Sequence, residues 1–74
     1  MMGWNDIYRL GAELERRFPA VEPAELSTDE LKRLVLKLPG FDPAAAPPTD
    51  NDVEDVMRAW LAERDPEVAR LRGA

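Results

Sequence analysis

Three runs of large apolar residues recur every three to four positions, and a proline closes each of them, so the chain is divided into three helical lengths. The first run is Ile7, Leu10, Leu14 and Phe18, with Trp4 and Tyr8 beside it, and Pro19 stops it. The second is Leu31, Leu34, Val35 and Leu38, ended by Pro39-Gly40, with Leu36 off the stripe. The third is Val53, Val56, Met57, Trp60 and Leu61, an i, i+3, i+4, i+7, i+8 pattern that cannot continue comfortably past Pro66. No segment alternates polar and apolar residues over the length of a strand. The expected fold class is all-α, a small three-helix domain. Its 74 residues leave room for one hydrophobic core.

The helix ends carry their own signals. Asn5 is the expected N-cap of the first helix. Gly11, inside that helix, costs up to about 1 kcal/mol relative to alanine; it either admits a close neighbour or is a tolerated defect. Ser27 and Glu30 form a Ser-x-x-Glu capping box, and Leu26 and Leu31 stand at the two positions of a hydrophobic staple. The three prolines between Phe41 and Pro48 predict a stiff, extended connection anchored in the core by Phe41. The third helix is expected to open near Thr49 or Asp50 and to close at Arg64–Asp65. Residues 65–71 have the pattern of a short fourth helix, with Pro66 at its first turn. The domain expected from these signals spans residues 1–65, with 66–74 as a C-terminal extension.

The chain contains neither cysteine nor histidine. Disulfides, thiolate nucleophiles, sulfur carriage and cysteine-held clusters are therefore outside its chemistry. Imidazole general bases and imidazole metal sites are excluded as well. Any metal would rest on oxygen ligands. No cleft is expected in so small a bundle, which argues against catalysis by a carboxylate pair. No apolar stretch approaches the length of a membrane span, and the first residues carry no signal-peptide h-region, so a cytoplasmic location without membrane contact is expected.

Ten basic residues face fifteen acidic ones, a net charge of −5. That balance disfavours nucleic acid, whose phosphates call for clustered Lys and Arg. It favours a basic protein partner or a cation. The excess is local: residues 41–63 hold Arg58 against Asp42, Asp50, Asp52, Glu54, Asp55 and Glu63, a net −5 that equals the whole chain's. Acids at a helix N-terminus complement the macrodipole, but two would serve that purpose. Asp50, Asp52, Glu54 and Asp55 fall within six residues that contain no cation, which leaves open a face for a partner or a cation. Asp52 and Asp55 share a helix face at i, i+3, yet Asn51 beside them offers only an amide, and there is no EF-hand spacing. Trp4, Trp60 and Met57 are in register with apolar stripes and are expected in the core.

One ordered set of residues carries a family likeness: Trp4-x-Asp6, Leu10-Gly11, Leu14, Phe18-Pro19, Val21-Glu22-Pro23, Leu31, Leu34-Val35, Leu38, Phe41-Asp42, Val53-Glu54, Val56 and Trp60-Leu61. From Trp4 to about Glu63 the chain resembles the IscX family of iron–sulfur cluster assembly proteins. The resemblance implies a modified winged-helix domain that does not bind DNA, and an accessory role without enzymatic activity. It implies docking through an acidic surface on the cysteine desulfurase IscS, in competition with frataxin or ferredoxin, and a weak association with Fe²⁺ but no tightly bound cofactor. Carried onto this sequence, the docking residues are Asp42, Asp50, Asp52, Glu54 and Asp55, with Asp6 and Glu22 as additions. Asp50, Glu54 and Asp55 are the candidates for weak iron contact. The alternatives from other classes are an iron carrier using the same carboxylates and a general acidic adaptor. Two departures stand out. Phe41-Asp42-Pro43-Ala44 keeps one acid where the family has a run of them, and the chain from Arg64 onward extends past the family's usual end.

Overall fold

The computed structural model describes residues 1–65, in which three helices follow one another: α1 (Ile7–Arg17), α2 (Thr28–Leu36) and α3 (Asp50–Arg64). A single 3-10 turn, Pro23–Glu25, lies between α1 and α2. The all-α class is as the periodicity indicates. The fourth helix expected over residues 65–71, and the extension 66–74, lie outside the described residues.

The principal contact is between α1 and α3. Leu10, Gly11 and Leu14 are the buried residues of α1, and Val53, Val56, Ala59 and Trp60 those of α3. Gly11 decides how near the two helices come. A Cβ at this position would lie 2.7 Å from the Ala59 carbonyl carbon, 2.8 Å from the Ala59 Cβ and 2.9 Å from the Trp60 nitrogen. Of the two readings open for this glycine, close packing is the one the structure adopts. From α2, Leu31 and Val35 are fully buried and Leu38 follows just past its end. Leu36 is 61% exposed, as its place off the stripe requires. Tyr8, at 84% exposed, stands away from the core rather than beside it.

The start of α1 differs from expectation. Asp6, not Asn5, is the N-cap residue, and its side chain caps no helical N–H. Its carboxylate turns back instead and accepts from the Gly3 N–H at 2.9 Å, closing a turn in which the Asp6 N–H also donates to the Gly3 carbonyl. This turn brings Met2 alongside Phe41, where the two residues form an isolated parallel bridge. The Met2 N–H donates to the Gly40 carbonyl at 2.7 Å, and the Asp42 N–H donates to the Met2 carbonyl at 2.8 Å. Met2 is buried as a result, and the Trp4 ring meets the Phe41 ring edge-on at 5.5 Å. Phe41 is thus the anchor its position suggests. The connection it begins is not extended throughout, since the Ala45 N–H donates to the Asp42 carbonyl and folds residues 42–45 into a turn.

The two ends of the α1–α3 pair are tied by Arg64. Its guanidinium meets the Glu15 carboxylate through Nη2 at 2.6 Å and Nε at 2.9 Å, and it donates to the carbonyls of Phe18, Pro19 and Val21. The same carboxylate accepts from the indole N–H of buried Trp60 at 3.2 Å. Arg64 also lies over the Trp60 ring, 5.7 Å from its centroid. The link after α1 has few backbone partners of its own, so one cation with five donors holds three of its carbonyls at once. Arg64 therefore belongs to the domain itself and is not the first residue of a tail. Its hydrogen bonds hold the Glu15 carboxyl below the ordinary carboxylate value, and Glu15 in turn raises the Arg64 pKa.

Replacing Gly11 by alanine gains up to about 1 kcal/mol of helix propensity but overpacks a backbone contact, which costs about 1–3 kcal/mol or more. Gly11→Ala is expected to lower the melting temperature. Gly11→Ala/Ala59→Gly should recover little of the loss, because two of the three close atoms are backbone. Full recovery in thermal melts would refute the close-approach account. Glu15→Gln tests the clamp. A carboxyl whose pKa is lowered by folding contributes stability that is complete above its unfolded value and fades as pH falls through the folded one. The variant should melt below the parent protein at neutral pH, with the gap narrowing below about pH 4.5.

Candidate protein-docking face

The acid-rich stretch becomes one side of α3. At about 100° per residue, Val53, Val56, Ala59 and Trp60 share the buried side, and Asn51, Glu54 and Arg58 fall on the opposite one, with Asp50 and Asp55 at its two edges. The burial pattern agrees: Asp50, Asn51, Glu54 and Arg58 are exposed, Asp52 and Asp55 half-buried. The helix holds these groups rigidly because its inward side packs on α1 and its first turn is capped.

That cap employs one of the predicted docking residues. Thr49 and Asp52 form a second capping box: the Asp52 N–H donates to the Thr49 hydroxyl at 3.1 Å, and the Asp52 carboxylate accepts from the Thr49 N–H at 2.9 Å. Thr-x-x-Asp is the same signature as Ser27-x-x-Glu30, so it was present in the sequence in plain form. The box at Ser27–Glu30 is also made, with bonds of 3.2 and 3.1 Å, and the Ser27 N–H holds the Glu30 carboxyl below its ordinary value.

Other predicted residues also have local duties. Asp42 is half-buried beside Phe41, and its carboxylate accepts from the Ala44 N–H at 2.9 Å. Asp6 closes the turn with Gly3, and Glu22 accepts from the Ala24 N–H at the head of the 3-10 turn at 3.4 Å. Arg58 reaches back along α3 to Asp55 at 3.4 Å and to Glu54 at 3.9 Å. The seven predicted residues are therefore not one cluster. Asp50, Glu54 and Asp55 share the outer side of α3 with Arg58, whereas Asp6, Glu22, Asp42 and Asp52 bond to the backbone around their own turns.

The geometry suits contact more than coordination. Among the described residues no three carboxylates are placed to hold a metal ion, and Asp50, Glu54 and Asp55, the candidates for iron, do not form such a group. Among the same residues no helix is long and apolar enough to cross a membrane. An outward carboxylate surface on a rigid helix can attract and orient a basic partner, with a strength that falls as salt rises.

Comparison with known proteins gives the family of the chain. A family model described as iron-sulphur cluster assembly matches residues 2–65. An uncharacterized protein of Pseudomonas aeruginosa is 29% identical over 62 residues, which cover 84% of this chain and 94% of that protein. No solved structure matches. The family match runs past Arg64, in keeping with the structural place of that residue and against a departure that starts there.

The division of labour among the acids is measurable. Asp52→Ala removes the N3 half of a capping box, one hydrogen bond to the Thr49 N–H, and should cost about 0.5–1.5 kcal/mol in chemical denaturation. Glu54→Ala and Asp55→Ala should each stay within about 0.5 kcal/mol of the parent. Equal losses at all three would mean that the outer side of α3 is structural throughout.

Proposed function

Because this chain belongs to the iron–sulphur cluster assembly family, we propose that it serves as a non-enzymatic accessory protein that docks the outer side of α3 on a basic surface of a cysteine desulfurase. The observation that carries this reading is exposed Glu54 on the outer side of a rigid helix, flanked by exposed Asp50 and half-buried Asp55, in a stretch that holds the chain's whole negative excess. The chain has no thiol and cannot take up persulfide sulfur itself. It acts by contact, in the cytoplasm. By occupying the desulfurase surface it modulates how sulfur leaves and how iron approaches, and it competes there with frataxin and ferredoxin. Docking is preferred to iron carriage because the candidate iron residues do not converge into a three-carboxylate group.

The charge-reversal variant that tests this reading leaves the cap alone. Asp50→Lys/Glu54→Lys/Asp55→Lys should keep the helical content of the parent and bind the host's cysteine desulfurase at least about tenfold more weakly, a change of about 1.4 kcal/mol. Binding of the parent should weaken from low salt to roughly 0.5 M, since exposed charges are screened within about 10 Å already at 0.1 M. Salt-independent binding, or full binding by the triple variant in titration calorimetry, would remove the basis of the proposal.

A further inference from the structure

The outer side of α3 is not uniformly polar. Where it passes the first turn of α2 it borders a shallow groove of about 180 Å³, lined by Thr28, Val53, Glu54, Met57 and Arg58. Val53 and Met57 give this groove an apolar base, and two opposite charges form part of its rim. Met57 is half-buried and packed on the core cluster, and its unbranched, flexible side chain adapts to what lies against it. Glu54 is 59% exposed and lies 3.9 Å from Arg58, at the limit of an ion pair, whereas Arg58 is nearer to Asp55 at 3.4 Å. The Glu54 carboxylate is thus loosely held by the one basic residue of residues 41–63.

We propose that this groove seats one lysine or arginine side chain of the basic partner, its stem over Val53 and Met57 and its charge on Glu54 in place of Arg58. The proposal rests on the docking reading and adds a specific anchor to it. Charge complementarity selects the occupant. Glu54 and Arg58 are the charged residues of the groove's lining, and the stretch that carries them, residues 41–63, holds six acids against Arg58, so a purely apolar side chain would leave the excess charge unanswered, and an acidic one would be repelled. A long basic side chain satisfies both parts, because its methylenes can cover apolar surface while its head remains with the carboxylate. Arg58 then acts as an internal competitor. It occupies Glu54 in the free protein at little benefit, since exposed i, i+4 pairs contribute only tenths of a kcal/mol, and it yields when a partner's cation arrives.

Removing the competitor should therefore tighten the complex, an effect with the opposite sign to that of most interface substitutions. Arg58→Gln is expected to bind the host's cysteine desulfurase roughly two- to fivefold more tightly at low salt. Met57→Gln should weaken binding roughly three- to tenfold with an unchanged salt dependence, as loss of an apolar contact predicts. Met57→Leu, which keeps the apolar base, should bind like the parent, and thermal melts confirm that each variant is folded. Unchanged or weaker binding by Arg58→Gln overturns the seat for a cation, and parental binding by Met57→Gln overturns the seat for its stem. If either occurs while the triple charge reversal still abolishes binding, the acidic docking side stands and the groove falls. If the parent protein does not bind the desulfurase, both fall.

Discussion

The approach of α1 to α3 at Gly11 governs the rest of the molecule. With no side chain between them, the backbone of α1 reaches the Ala59–Trp60 segment of α3 directly, and a single methyl group would already lie too close. That proximity places the Trp60 ring in the core and lets its indole N–H meet Glu15 on the neighbouring helix. It also fixes the rotation of α3 about its axis. Once Val53, Val56 and Trp60 point inward, Asp50, Glu54 and Arg58 point outward without further instruction. The docking side is thus a by-product of core packing. A change in the helix–helix contact would turn it relative to the first turn of α2, and the groove between them would alter with it.

Acidic side chains in this protein divide into those that the fold consumes and those that it leaves to solvent. Asp6, Asp42 and Asp52 accept hydrogen bonds from main-chain N–H groups within three residues of themselves. Glu15 holds Arg64 and Trp60. Asp50, Glu54 and Asp55 remain on the outer part of α3, where Arg58 pairs with Glu54 and Asp55. Residue type alone does not separate the two groups. A carboxylate becomes structural when an unsatisfied donor lies within its short reach, and turns and helix starts are where such donors occur.

This explains which parts of the molecule were legible in the sequence. Helical periodicity, the Ser27–Glu30 box and the stop at Arg64–Asp65 are local patterns, written within one or two turns, and they were readable. Thr49–Asp52 is equally local, a Thr-x-x-Asp spacing inside an acid-rich stretch in which charge alone does not distinguish Asp52 from its neighbours. The features that were not legible join distant positions. Met2 pairs with Phe41, Glu15 meets Arg64 at a separation of 49 residues, and Gly11 faces Ala59. Nothing near Arg64 in the sequence marks it as the clasp of the α1 link, because its partners are the distant Glu15 and three backbone carbonyls, which have no side-chain identity. Of the docking side, the charge excess and its location were readable. The loss of Asp52 to the cap and the return of Arg58 over Glu54 follow from i, i+3 and i, i+4 spacings that a charge count alone does not resolve.

The clasp also has a consequence for the order of events during synthesis. The stripe of α1 finds its main partner on α3, and the link behind α1 is secured by the last residue of that helix. At about 5–20 residues per second, the ribosome needs roughly 2–9 s to proceed from the end of α1 to residue 64. For most of that interval Leu10 and Leu14 lack their main partner, and α2 supplies only a minor one. Folding is therefore delayed until nearly all of the described chain has been made. An isolated helix of eleven residues is marginal in water, so stable packing of α1 waits for α3, and the domain acquires its shape in one late step.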